Sequence, residues 1–109
     1  MSIRGKVFLM VDRRKYILNR SINVNKLIVN EVVIDSHVDK HDDHISDELV
    51  IELVNLLDGK EYDPTSFNNG YSYFVSILDY KDRKYRLVWL QQDEYFYIGV
   101  LTAFKDRGA

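Results

Sequence analysis

"YSYFVSILDYKDRKYRLVWLQQDEYFYIGVLTAF", residues 71–104, is the stretch on which the fold turns. Apolar and aromatic residues alternate with polar ones through three runs, 71–80, 84–91 and 94–104. A period of two is the mark of a strand with distinct faces. Only "KDR" and "QD" separate the runs, and connections that short join antiparallel neighbours, so a three-stranded meander is expected.

Register decides which side chains share a face. With turns at Asp82 and Arg83 and at Asp93 and Glu94, residues whose numbers sum to about 165 or about 187 lie opposite each other. One face then carries Phe74, Leu78, Leu87, Trp89, Phe96, Ile98 and Val100, an apolar set suited to a core. The other carries Tyr71, Tyr73, Val75, Arg86, Val88, Tyr97, Gly99 and Leu101. A glycine inside a strand marks a bulge or a close approach. Tyrosines beside an arginine suit two roles, a surface covered by the N-terminal strands with Arg86 paired to Asp79, or one that stacks bases and holds phosphate.

Upstream, "SDELVIELVNLLDG" (46–59) changes period. Leu49, Val50, Leu53, Val54 and Leu57 recur at helical spacing, Ser46 suits the N-cap, Asp47 and Glu48 suit the first turn, and Gly59 suits the stop. An amphipathic helix over about 47–57 is expected, packed on the meander. "KEYDPTSFNNG" (60–70) is a loop holding the only proline. Nearer the start, "IRGKVFLMV" (3–11) and "KYILN" (15–19) flank "DRR" as a first hairpin, and "NKLIVNEVVID" (25–35) reads as a third strand. The expected architecture is one α+β domain over 1–109: N-terminal strands, one main helix (about 47–57) and three long strands (about 71–80, 84–91 and 94–104).

Composition narrows the class. A chain with 46% hydrophobic and 29% charged residues folds rather than staying disordered. There is no cysteine, which removes disulfides and thiolate metal sites. No apolar run approaches the ~18 residues of a membrane span, and "MSIRGKVFLMVDRRK" lacks a small-residue cleavage site, so a cytoplasmic location without membrane partners is expected. The net charge of −2 supplies no global attraction to polyanions. It is unevenly spread: residues 1–35 carry seven basic against three acidic side chains, whereas 36–58 carry Lys40 against seven acids.

"DSHVDKHDDHIS" (35–46) concentrates the titratable chemistry. His37, His41 and His44 are spaced four then three, and would share a helix face as zinc ligands. Against that, Asp39, Asp42 and Asp43 are poor helix-interior residues. A solvated capping segment is the second possibility. Acid–base chemistry is the third, because histidine titrates near neutrality and Lys40 offsets phosphate charge.

A His-bearing segment leading into an amphipathic helix ("DSHVDKHDDHISDELV"), then a meander with arginine on its middle strand ("KYRLVW") and a polar residue late in its last ("YIGVLTAFKDR"), resembles the barnase–EndoU–colicin–RelE group. Its members are small metal-independent ribonucleases, many of them bacterial toxins of toxin–antitoxin systems. The resemblance spans about 35–107 and implies an endoribonuclease acting on RNA without a cofactor, with a cognate antitoxin or other protein partner. It would make His41 the general acid or base with Lys40 beside it, and Arg86 and Thr102 the phosphate contacts. Tyr97, His37 and Tyr73 would touch the substrate. In the register above, Thr102 falls on the face opposite Arg86: either a bulge near Gly99 removes the conflict, or one of the two is structural. The rival expectation is a non-catalytic antitoxin, immunity protein or phage inhibitor that presents the acidic segment 39–58 to a basic partner.

Overall fold

The computed structural model describes residues 13–35 and 45–106. The N-terminal strand read at 3–11 and the segment holding His37, Lys40, His41 and His44 lie outside these residues. The described chain forms β1 (Arg13–Val24), β2 (Leu27–Asp35), α1 (Asp47–Asn55), β3 (Ser66–Asn68), β4 (Tyr71–Tyr80), β5 (Arg83–Gln92) and β6 (Tyr97–Lys105). The strands make one mixed sheet in the order β1-β2-β6-β5-β4-β3.

This corrects the expected architecture of one main helix on three strands. Strand dominates, the helix is nine residues long, and the meander is only the middle of a six-stranded sheet. β2 pairs in parallel with β6, from Glu31 opposite Tyr97 to Ile34 opposite Val100. β1 continues the sheet beyond β2, so the described N-terminal strands widen the sheet rather than lie across its second face. Of the turn expected at "DRR", Arg13 and Arg14 lie instead in β1, paired with Asp35 and Ile34, and Asp12 lies outside the described residues. Among the described residues no helix is long and apolar enough to cross a membrane.

Two-residue turns set the local register. Asn25 and Lys26 join β1 to β2, and Lys81 and Asp82 join β4 to β5, all four with positive φ. Left-handed backbone at both central positions matches the strand twist but strains residues that carry a Cβ. Replacing Lys81 and Asp82 together by Asn-Gly is expected to raise stability by about 1 kcal/mol, read as a higher urea midpoint at unchanged slope. An unchanged midpoint would contradict that account.

α1 starts where its cap chemistry says it should. The Ser46 hydroxyl accepts from the Leu49 amide at 3.1 Å, satisfying one orphan donor of the first turn. Val50, Leu53 and Val54 turn inward, and Leu57, just past the helix end, is also buried. They meet Val32 and Ile34 of β2, Ile98, Val100 and Ala103 of β6, and Leu87 and Trp89 of β5. Burying such aliphatic side chains contributes about 1.5–3 kcal/mol each. Phe96, expected in this core, is 61% exposed. It precedes β6, and its carbonyl accepts from the amides of Asn30 and Glu31, which fastens the start of β6 to β2.

A second tie holds α1 to the sheet edge. The Arg14 guanidinium grips Asp47 with two hydrogen bonds, Nε to Oδ2 at 2.8 Å and Nη2 to Oδ1 at 2.9 Å, and the Tyr16 hydroxyl donates to Oδ2 as well. The Arg14 bonds, then Tyr16, hold the Asp47 carboxyl below the usual carboxylate range, against the opposing effect of burial. A carboxylate with a lowered folded pKa stabilises fully above its unfolded value near 4, and that contribution fades as pH falls through the lower folded value. Asp47→Asn should therefore cost about 1–2 kcal/mol at pH 7, with the gap to wild type closing under acid, measured by urea unfolding at pH 7 and pH 3. A gap that widens in acid would overturn the assignment.

Candidate functional site

The face of the sheet opposite α1 collects the chemically interesting side chains. On β5, Arg86, Val88 and Leu90 point there, opposite Ile77, Val75 and Tyr73 of β4. On β6 the pattern depends on one irregularity. Trp89 lies opposite Val100 but Val88 lies opposite Thr102, which leaves Leu101 as an extra residue. This bulge shifts the phase of the strand by one. Val100 and Ala103 both face the core, and Thr102 moves to the open face with Arg86 and Val88. Strict alternation would have sent the Thr102 hydroxyl into the core and the Ala103 methyl out of it, an exchange that burial energetics oppose.

Arg86 and Thr102 are thus brought to one face. The Arg86 Nη2 reaches Asp106 Oδ1 at 3.4 Å, and its guanidinium carbon lies 6.0 Å from the centre of the Phe104 ring. Asp79, the alternative partner read from the sequence, instead pairs with Lys84 at 2.8 Å. Among the described residues, Arg86 Nε and Thr102 Oγ1 are buried side-chain polar atoms with no hydrogen-bond partner. Buried polar groups are nearly always paired, and an unpaired donor costs about 1–3 kcal/mol, so two on one face call for a functional explanation.

Further along the same face, Tyr71, Tyr73 and Tyr97 wall a groove of about 290 Å³. Its polar lining is Arg13 and Asp35, which are direct cross-strand partners on β1 and β2. Gly99 forms part of the floor. A Cβ there would come within 2.9 Å of Leu90 Cδ1 and 3.1 Å of its Cγ, so a larger residue would require the Leu90 side chain to shift. The Tyr97 hydroxyl donates to Gln92 Oε1 at 3.0 Å. Burial, reinforced by the neighbouring Tyr71 hydroxyl, pushes Tyr97 up to about 12, so its phenol stays protonated and able to donate at neutral pH.

Tyr73 and Tyr97, both read from the sequence as substrate contacts, therefore line one groove, and Arg86 and Thr102 share their face. His37, Lys40 and His41 lie outside the described residues. Arg13 and Asp35 were missed, and no local signal marks them, because only the parallel pairing of β2 with β6 brings the sheet edge to the groove. Among the described residues no group of three His, Asp or Glu side chains is arranged to hold a metal ion.

The ends of the stretch 36–44 can be followed. Asp35, the last described residue before it, lies one residue beyond the Ile34–Val100 pair of β2 and β6. The chain is next described at Ile45, which is buried, and Asp47 is tied to Arg14, itself opposite Ile34. Comparison with protein-family models, curated proteins and solved structures finds no match.

Proposed function

We propose that the protein is a metal-independent endoribonuclease that binds RNA on the open face of its sheet. The observation that carries this reading is the placement of Arg86 and Thr102 on one face, each with an unsatisfied buried polar atom, on the strand pair that β2 joins just before the His-bearing stretch of the sequence. The resemblance to small ribonucleases and the tyrosine groove support it.

RNA supplies its own nucleophile. The ribose 2′-oxygen attacks phosphorus while a general base takes its proton, and the 5′-oxygen leaves as a general acid returns one. The products are a 2′,3′-cyclic phosphate and a 5′-hydroxyl, with no redox change and no external reactant. His41 acts as base or acid, with Lys40 adding positive charge nearby. The Arg86 fork holds two phosphate oxygens, and Thr102 Oγ1 donates to the same group. Tyr97 and Tyr73 contact bases, and His37 contacts the substrate. With a net charge of −2 the chain has little long-range pull on RNA, so affinity rests on stacking and these local cations.

The experiment is incubation of the purified protein with mixed RNA in EDTA. Cleavage to fragments ending in 2′,3′-cyclic phosphate is expected, and intact RNA from folded protein would sink the reading. The inhibitor alternative is weakened by two acids of its segment being engaged internally. Asp47 binds Arg14 and Tyr16, and Asp58 Oδ1 accepts from the Asn23 amide at 2.8 Å.

A further inference from the structure

We infer that the groove between Tyr71, Tyr73 and Tyr97 is a nucleobase-binding subsite, which takes one base next to the phosphate held by Arg86; the inference rests on the ribonuclease reading for its substrate class. Size is the first argument. About 290 Å³ sits at the lower end of small-ligand pockets, enough for one planar ring system and too little for a whole dinucleotide.

Shape and chemistry agree with a flat aromatic guest. Tyr71 and Tyr73 project from alternate positions of β4 with ring centres 6.4 Å apart, and Tyr97 stands across the groove on β6. Bases stack on such rings irrespective of sequence, because every base has a π-face. Gly99, which has no side chain, forms part of the floor between Leu90 and Tyr97.

The polar rim then selects among flat guests. Arg13 offers donors only and Asp35 acceptors only, side by side from adjacent strands. A nucleobase edge presents donors and acceptors side by side and matches such a pair. A quaternary ammonium ion, the other usual guest of tyrosine cages, would face the Arg13 guanidinium.

Placement fits a substrate that runs along the sheet. Leu90 in the groove and Arg86 lie four residues apart on β5, roughly 13 Å at the rise of a strand. A base in the groove therefore belongs to a nucleotide neighbouring the one whose phosphate meets Arg86, and the subsite would govern base preference rather than bond breaking.

Titration of the full chain with the four nucleoside 5′-monophosphates and with ribose 5-phosphate, followed by calorimetry, tests this without any cleavage. At least one monophosphate should bind tenfold or more tighter than ribose 5-phosphate. Tyr71→Ala should remove that advantage, and Asp35→Asn, which keeps the side-chain volume, should change which base is preferred; thermal melting confirms that both variants fold. Monophosphates binding no better than ribose 5-phosphate would overturn the subsite, as would unaltered preference in both variants or tighter binding of tetramethylammonium. If nucleotides bind as expected while RNA stays intact, the base subsite stands and the ribonuclease reading falls. If RNA is cut with the same rate and base preference by wild type and both variants, the reverse holds.

Discussion

Arg86→Ala is expected to slow RNA cleavage by roughly 10²–10³-fold, the loss typical of removing one preorganised donor to a charged transition state. His41→Ala should cost a comparable ~10²–10⁴-fold, the usual worth of general acid–base assistance. Arg86→Lys should recover only part of the loss, because an ammonium keeps the charge but not the two-pronged fit to phosphate. Stability distinguishes this from damage to the fold. The Arg86 side chain is 42% exposed, its contact with Asp106 is long at 3.4 Å, and such ion pairs contribute about 0–1 kcal/mol. Its buried Nε has no partner, which is a cost to the folded state. Arg86→Met should accordingly be as stable as wild type or more so, while nearly inactive. Cleavage rates on a labelled oligonucleotide and urea midpoints for the same preparations read both quantities. Full activity in Arg86→Ala, or a stability loss above about 2 kcal/mol in Arg86→Met, would remove Arg86 from the proposed site.

Trp89→Ala should have the largest effect on folding, about 3–5 kcal/mol, against a total near 5–15 kcal/mol for a domain. Trp89 is fully buried in the middle strand of the meander. Its ring stacks on Phe74, with centres 4.1 Å apart and planes 14° from parallel, and meets the edge of Tyr62 at 5.4 Å. Its Nε1 donates to Ser76 Oγ at 3.0 Å, in a place where both groups are buried. Truncation leaves a large cavity and strips the Ser76 hydroxyl of that bond. Trp89→Phe keeps most of the ring contact and loses the hydrogen bond, so it should cost about 1–3 kcal/mol. Urea unfolding followed by far-ultraviolet circular dichroism measures both. A loss below about 1 kcal/mol for the alanine variant would mean that the core does not close around this residue as described.

How much of this could be read from the chain is best seen in β4 and β5. The turn expected at Asp82 and Arg83 lies instead at Lys81 and Asp82, so opposing numbers sum to 163 (Tyr71 opposite Gln92) rather than 165. A shift of two in the sum leaves parity intact, and Phe74, Leu87 and Trp89 still share the buried face. The start of α1 was legible for a different reason. Ser46, Asp47 and Glu48 act on backbone groups within three residues of themselves, so their effect needs no knowledge of the rest of the fold.

The bulge at Leu101 shows the opposite situation. Nothing in "GVLTAF" alone says where the phase slips; the slip follows from the requirement that Val100 and Ala103 both reach a core built by other elements. It decides whether Thr102 can act beside Arg86. The parallel pairing of β2 with β6 is further still from local reading, since its partners are more than sixty residues apart and any Val- and Ile-rich strand satisfies its hydrogen bonds equally. That pairing brings Arg13 and Asp35 to the tyrosine groove.

The sequence by itself determined the local elements: period-two strands in a meander with short connections, a capped amphipathic helix, and a tyrosine- and arginine-bearing face; the connection from β5 to β6, expected to turn at Asp93 and Glu94, spans residues 93–96. These elements rest on interactions between residues a few positions apart, which the chain specifies directly. Only the tertiary structure decided the order of the described strands, the place of β1 beyond β2, and the phase of Thr102. Those depend on which apolar faces can be buried together, and that is a property of the assembled core rather than of any segment within it.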